Sequence, residues 1–268
     1  MSVAELQARI DSLSADILRH KQVLKDLECS KSAAQHQLNA IRDPVARLPL
    51  EISSEIFIQC LSTHPRPGAR HAPMILANIC TSWTDISLST PSLWAAIDAD
   101  VPIFDLAGLL DIWLTRAGSR ALSICLPINL TGEITAVVAR HAHQLQGLQI
   151  YHPHDQDDSS FSTAVGPLPF LKKLTIIGIH EYNCSSGRTL EMLRICPNLV
   201  ECTLDDVFNG YHGSGMEEIL VLPRVRLFNF GMYPDYSSDY ILRYITLPAL
   251  QTLFIPYETS GFKIFYNF

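Results

Sequence analysis

An eight-residue segment recurs four times in the second half of the chain, and it limits the possible folds more than any other feature. The four copies are PFLKKLTI at 169–176, PNLVECTL at 197–204, PRVRLFNF at 223–230 and PALQTLFI at 248–255. Each begins with proline, has an aliphatic residue two positions later and ends with two uncharged residues separated by one position. The copies start 28, 26 and 25 residues apart, and weaker copies at 143–150 and 117–124 continue the series towards the N-terminus. Six units at a nearly constant period indicate a repeat protein.

A period in the middle twenties with an L-x-x-L-x-L/I core is typical of a leucine-rich-repeat solenoid, in which each short strand stacks beside the preceding one. We therefore predict an α/β domain over residues 101–268, with helical segments such as SGRTLEMLR between its strands. The alternative is an ordinary α/β domain whose strand spacing is accidental. The sixth unit stops at Phe268 without a polar cap, so we expect an incomplete C-terminal end. The predicted strands lie near 120–126, 145–151, 171–177, 199–204, 225–230 and 250–255.

The first 43 residues have a different period. Alternating steps of four and three residues connect Leu6, Ile10, Leu13, Ile17, His20, Leu24, Leu27, Lys31, Ala34, Leu38 and Ile41. This heptad pattern, free of Gly and Pro before Pro44, predicts one helix that runs to about Arg42. Because such a seam needs a partner helix, we expect a coiled coil, with a homodimer through residues 3–42 as the favoured form. The alternative is a helix that folds back on its own chain or frays in solution.

Residues 44–100 predict a small helical module. Pro49 and Glu51 suit the first turn of a helix, since its free N–H groups and positive dipole end favour both residues. Ile52 and Ile56 then lie on one face of that helix. A break rich in Pro, Gly and His at 63–73 precedes a second helical pattern over 74–89, which is followed by a turn and Trp94. The chain is thus expected to be α+β or α/β: a long coiled-coil helix, a small helical module and a repeat domain.

LPLEISSEIFIQCL at 48–61 and ANICTSWTDISLSTPSLW at 77–94 together resemble the F-box, a three-helix module. The series LPxEI, Trp and LW carries the resemblance, which covers about 50 residues and is similar to F-box-like proteins of fungi. The break at 63–73 is longer than the shortest loops of that family. The matching residues are Leu48, Pro49, Glu51, Ile52, Ile56, Phe57, Cys80, Trp83, Ile86, Ser89, Thr90, Leu93 and Trp94.

The resemblance implies a non-catalytic substrate receptor of an SCF-type ubiquitin ligase. The F-box would bind a Skp-type adaptor, and through it a cullin, while the repeat domain would bind an unknown protein substrate. A coiled-coil and repeat scaffold outside ubiquitination is the alternative. In the family the residues equivalent to Trp83 and Trp94 mostly hold the module together. The implied adaptor-binding residues are Leu48, Pro49, Leu50, Glu51, Ile52, Ile56 and Phe57, with Ile79 and Trp83 as weaker candidates.

Composition excludes several other classes of function. A net charge of -7 without clustered Lys and Arg argues against a nucleic-acid partner. No apolar run reaches the roughly 20 residues of a membrane span, and the N-terminus lacks a secretory core, so we expect a cytoplasmic or nuclear protein. Seven cysteines without CxxC spacing are then expected to be reduced and mostly buried.

Residues that could carry chemistry are present but poorly arranged. The His-x-His pairs at 141–143 and 152–154 supply two ligands each, whereas zinc needs three or four, so we expect neither metal nor cofactor. Cys184, Cys196 and Cys202 with His180 or His212 could form a Cys/His nucleophile, although Cys196 and Cys202 flank a predicted strand. A Cys/His enzyme is therefore kept as a third, weaker possibility.

Overall fold

The structure, a computed structural model, describes residues 3–127, 130–151, 161–178, 186–205, 219–231, 238–256 and 263–267. Within these ranges the helices are α1 (Val3–Arg42), α2 (Leu50–Gln59), α3 (Met74–Ala77), α4 (Thr81–Leu88), α5 (Leu106–Arg116), α6 (Gly132–His141), α7 (Phe161–Val165) and α8 (Ser186–Arg194). Short 3₁₀ helices are Val45–Arg47, Pro91–Trp94, Ala142–Gln144 and Ser238–Tyr244. The strands are β1 (Ala96–Asp98), β2 (Leu122–Cys125), β3 (Leu145–Tyr151), β4 (Lys173–Ile177), β5 (Glu201–Asp205), β6 (Leu220–Val221), β7 (Leu227–Phe230), β8 (Ile245–Thr246), β9 (Thr252–Pro256) and β10 (Lys263–Asn267).

Helix α1 is continuous over 40 residues, so the predicted long N-terminal helix is confirmed. Its C-terminal end contacts α4, but the aliphatic residues of the predicted seam are 41–75% exposed along the whole helix. An isolated helix gains little stability from propensity alone and depends on burying an apolar face. The seam therefore has no cover from the described part of this chain.

The second helical pattern, over 74–89, forms two helices where the sequence predicted one. Cys80 is extended, with φ -158° and ψ 171°, and separates α3 from α4. The hydroxyl of Thr84 lies 2.6 Å from the carbonyl oxygen of Ala77 and donates to it, which satisfies the end of α3. The break lets α4 turn so that Trp83 packs against Phe57 of α2, with ring centroids 4.8 Å apart.

Eight strands form one mixed, mostly parallel sheet in the order β1-β2-β3-β4-β5-β7-β9-β10. Each strand from β1 to β9 pairs in parallel with the next in this order, and β10 is antiparallel to β9. β6 and β8 form a separate parallel pair. A strand is present at each of the six predicted places, namely β2, β3, β4, β5, β7 and β9.

The register of the sheet stacks the repeats directly. One column of side chains runs through Ile97, Ile124, Leu148, Leu174, Cys202, Phe228 and Leu253, and all but the last are at most 2% exposed. The sequence repeat aligned Leu122 with Leu148, whereas the structure pairs Ile124 with Leu148. This alignment was therefore wrong by two residues. Since side chains alternate with a period of two, the error leaves every residue on its correct face.

Helices α5 to α8 lie on one face of the sheet, and their apolar residues join the strands in a single core. The helical module shares this core. Trp94 stacks edge-on against Trp113 of α5, with ring centroids 4.9 Å apart, and each indole N–H donates to a main-chain carbonyl. β1 begins at Ala96, inside the predicted 44–100 module, so the sheet starts before the predicted boundary at residue 100.

Candidate protein-binding site

Helix α2 begins where the sequence places it. Leu48 is extended, as expected before proline, and Pro49 caps the helix while its carbonyl oxygen accepts the N–H groups of Ile52 and Ser53 at 3.1 Å. Glu51 lies exposed in the first turn, near the positive end of the helix dipole. The helix is therefore set by local sequence, and its two faces differ sharply.

The exposed surface of α2 carries large apolar side chains beside the polar residues Glu51, Glu55 and Gln59. Four aliphatic side chains, one directly before Pro49 and three on α2, are 41–52% exposed. We call them the apolar ridge: Leu48, Leu50, Ile52 and Ile56. An exposed face of a surface helix is normally polar. Ile52 and Ile56 are one turn apart and adjoin each other on the helix surface, and exposed apolar side chains that adjoin can form a site where another protein binds.

The inner face of α2 holds the module together. Ser53 and Phe57 are fully buried, and the Ser53 hydroxyl donates to the carbonyl oxygen of Val45 at 3.2 Å. Phe57, which the resemblance implied for adaptor binding, has no exposed surface. It is one residue beyond Ile56, and a step of about 100° around the helix is enough to turn it into the core. Phe57 therefore does not belong to the ridge.

The remaining candidates lie at the margin of the ridge. Pro49 and Glu51 are exposed, whereas Ile79 and Trp83 are half-buried. Trp83 stacks on Phe57 and its indole N–H donates to the carboxylate of Asp43, so its main contacts are inside the module.

Asp43 directly follows the last residue of α1. Its carboxylate is 8% exposed and accepts both the Trp83 indole N–H and the Val45 N–H, the latter at 2.9 Å. The thiol of Cys80 lies 3.9 Å from the same carboxylate. Asp43 thus connects the end of α1 to α4, and no sequence pattern marks an acidic residue for such a role.

The open face of the sheet, on the side away from the helices, forms a second surface. Half-exposed polar side chains project from consecutive strands, among them Gln149, Thr175, Thr203 and Asn229. The amide of Asn229 donates to the hydroxyl of Thr203 at 3.2 Å. A polar, regularly spaced face of this kind can bind a partner through side chains from several strands.

Among the residues suggested for chemistry that the structure describes, Cys196 and Cys202 are buried thiols. Burial raises the pKa of Cys196 to about 12 and also raises the pKa of Cys202, so neither is an activated thiolate. His141 is the last residue of α6, and His143 lies in the 3₁₀ helix that follows. His152, His154, Cys184, His180 and His212 lie outside the described residues.

Within the ranges that the structure describes, no three His, Cys, Asp or Glu side chains are grouped so that they could hold a metal ion. Among the described helices, none has both the length and the hydropathy needed to cross a bilayer.

Among the described residues, the ridge and the open sheet face thus join the exposed α1 seam as surfaces that the geometry offers to partners. No protein-family model matches the chain, and no curated protein or solved structure is significantly similar to it.

Proposed function

We propose that this protein is a substrate receptor of the F-box type, in which the apolar ridge binds a Skp-type adaptor. The observation that carries the proposal is the ridge itself: its side chains remain about half exposed although Ser53 and Phe57 of the same helix are fully buried. Burying a whole Leu or Ile side chain contributes about 1.5–3 kcal/mol, so covering the exposed half of four contributes roughly 3–6 kcal/mol. This free energy is gained only when a partner covers the ridge, so it stabilises a complex and not the free chain.

The sheet domain would present the substrate. The repeat in the sequence and the strand order support a leucine-rich-repeat-like arc, whose open face carries polar side chains that differ from strand to strand. Such a receptor needs no catalytic residue of its own. It holds the substrate near a charged conjugating enzyme bound through a cullin, and tethering raises the effective concentration of the reacting groups. This role places the protein in the cytoplasm or nucleus.

Helix α1 would pair with α1 of a second copy, because its exposed seam has no other cover in the described chain. In a parallel, in-register pair, Asp16 at a g position lies near Lys21 of the other copy at an e position, and symmetry makes this contact twice. Lys31, at an a position of the seam, lowers the stability of the coiled coil. A polar residue at a single a position also fixes the register of the two helices. The homodimer would carry two ridges and two sheet faces.

The adaptor proposal is tested by co-expressing the tagged chain with a Skp-type adaptor. Leu48→Asp combined with Ile52→Asp leaves the free chain folded, since both side chains are half exposed, but an interface cannot hold two unpaired carboxylates. We expect at least a 100-fold loss of adaptor affinity in a binding titration. Ile112→Asp is the matched control, because Ile112 is 56% exposed and lies on α5.

Adaptor binding by the double variant at wild-type strength would contradict the proposal. The same purification separates the two functional classes. A substrate receptor brings down a cullin together with the adaptor, whereas a scaffold outside ubiquitination does not.

A further inference from the structure

The open face of the sheet contains a hollow of about 290 Å³ beside the first strands. Its floor is Gly147 of β3, which lies between Ser123 of β2 and Lys173 of β4 in the register of the sheet. A Cβ atom at Gly147 would lie only 2.5 Å from the Ser123 hydroxyl oxygen. The hollow therefore depends on the absence of a side chain at Gly147, and its rim carries Lys173 and the polar groups of Gln149 and Thr175.

One wall of the hollow comes from the helical module. The segment 63–73, which separates α2 from α3, reaches the sheet, and the His64 ring nitrogen Nε2 lies 2.9 Å from the Ser123 hydroxyl. The carbonyl oxygen of Pro65 accepts the N–H of Asp98 on the edge strand β1 at 2.9 Å. The Arg66 guanidinium donates to the Asp98 carboxylate at 2.8 Å. These bonds hold His64 in place over the open face.

The lining of the hollow favours a negatively charged guest. Lys173 supplies a cation and Thr175 a hydroxyl donor, and the hydrogen-bonded pair His64–Ser123 leaves one of its two donors for a guest. Among the described residues that line it, none carries a carboxylate. The larger groove of about 720 Å³ at the ends of β1 and β2 has the opposite character, since its lining includes Asp100, Asp105 and Glu133.

The two nearest acidic residues are already compensated. Asp98 is paired with Arg66, and Glu201 lies 3.3 Å from the Lys173 ammonium. The side chains of Lys173 and Glu201 are 61% and 45% exposed, and exposed pairs of this kind contribute only about 0–1 kcal/mol. An anion in the hollow can therefore displace Glu201 from Lys173.

We propose that this hollow binds an anionic oxygen group, a carboxylate or a phosphate, presented by a partner protein. Its assignment as a substrate contact rests on the proposed receptor function. Anion binding itself does not, because it uses none of the ridge residues.

The test uses the full chain, labelled with ²H and ¹⁵N, and follows the amide signals of Gly147 and Lys173. Inorganic phosphate and acetate are titrated separately at constant ionic strength, with chloride as the balancing anion. We expect a saturable shift at both amides. Tighter binding of phosphate would indicate a phosphorylated guest, and equal or tighter binding of acetate would indicate an acidic side chain.

Three substitutions separate a specific site from general charge. Lys173→Gln should weaken binding about two- to fivefold, as expected for the loss of a contact to an exposed ammonium. Glu201→Gln should strengthen binding, because it removes the competitor for Lys173. Lys172→Gln is the matched control, because it makes the same charge change at the neighbouring residue, which is exposed and does not line the hollow. It should leave the affinity for the anion unchanged.

The proposal fails if neither anion gives a saturable shift, if Glu201→Gln weakens binding, or if Lys172→Gln costs as much as Lys173→Gln. The ridge variant Leu48→Asp/Ile52→Asp should bind the anion normally. Loss of adaptor binding and loss of anion binding are thus independent results, and each tests only its own proposal.

Discussion

The buried carboxylate of Asp43 gives the sharpest prediction about stability. Asp43→Ala removes the acceptor for the Val45 N–H and for the Trp83 indole N–H. The Oδ1 bond to Val45, two residues on, is an Asx turn that shapes the exit from α1. We therefore expect the substitution to loosen the junction between α1 and the helical module while leaving the sheet intact.

The size of the effect follows from what is left unpaired. A buried donor without an acceptor costs about 1–3 kcal/mol, so two donors cost about 2–6 kcal/mol. Trp83 is half-buried, and water can replace part of what its indole loses, which reduces the expected cost of Asp43→Ala to about 2–4 kcal/mol. Asp43→Asn keeps one acceptor oxygen and should cost about 1–2 kcal/mol. Typical domains are stable by only about 5–15 kcal/mol, so either loss is measurable.

Urea unfolding followed by tryptophan fluorescence measures these differences, since Trp83 itself reports the junction. Asp26→Ala is the matched control: Asp26 lies exposed on α1 and accepts only a surface bond from Gln22, at 2.9 Å, so its loss should cost less than about 0.5 kcal/mol. An Asp43→Ala variant as stable as the control would refute the reasoning, and an Asn variant less stable than the Ala variant would do the same.

Three further predictions concern the shared core, the seam and the thiols. Trp94→Phe removes the indole hydrogen bond to the Ser87 carbonyl oxygen and weakens the cation–π contact with Arg116. It should lower the free energy of unfolding by about 1–3 kcal/mol in the same urea assay. Leu24→Lys combined with Leu27→Lys places charges in the seam and should convert the dimer to a monomer, which halves the molar mass of the protein measured by light scattering. Leu18 lies off the seam, so Leu18→Lys should leave the molar mass unchanged. In a Cys184→Ser background, a thiol reagent at pH 8 should modify the exposed Cys29 and Cys60 quickly. The buried thiols should react only on unfolding, since burial raises the pKa of Cys125 to about 11 and keeps it protonated. The buried thiols are Cys80, Cys125, Cys196 and Cys202.

The strands could be predicted because two independent periods agree. The spacing of units locates each strand, and the alternation within a unit decides which side chains are buried. Even where the alignment of the first unit was wrong by two residues, Leu122 and Ile124 both remained in the core. The long α1 was predictable for a similar reason, since many consecutive heptads carry the same signal.

The contacts between distant segments could not be read from any period. β1 is only three residues long, too short to show alternation, and it is identified by its pairing with β2. His64 and Ser123 are 59 residues apart, and no local pattern indicates that the segment between α2 and α3 reaches the sheet. The resemblance implied Phe57 as an adaptor-binding residue because it matches the family motif, yet it packs inside the module against Trp83 from another helix.

The way the helical module joins the sheet bears on how tethering would work. Only Ala95 separates Trp94, which is fully buried, from the start of β1, and Trp94 packs on Trp113 in the layer of helices. The angle between the ridge and the open face is therefore set by core packing and not by a linker. A flexible connection would spread a bound substrate over many positions and lower its effective concentration at the conjugating enzyme. A rigid junction holds the bound substrate in one position relative to the conjugating enzyme. A short flexible insertion after Ala95 should therefore reduce substrate ubiquitination while adaptor binding stays unchanged.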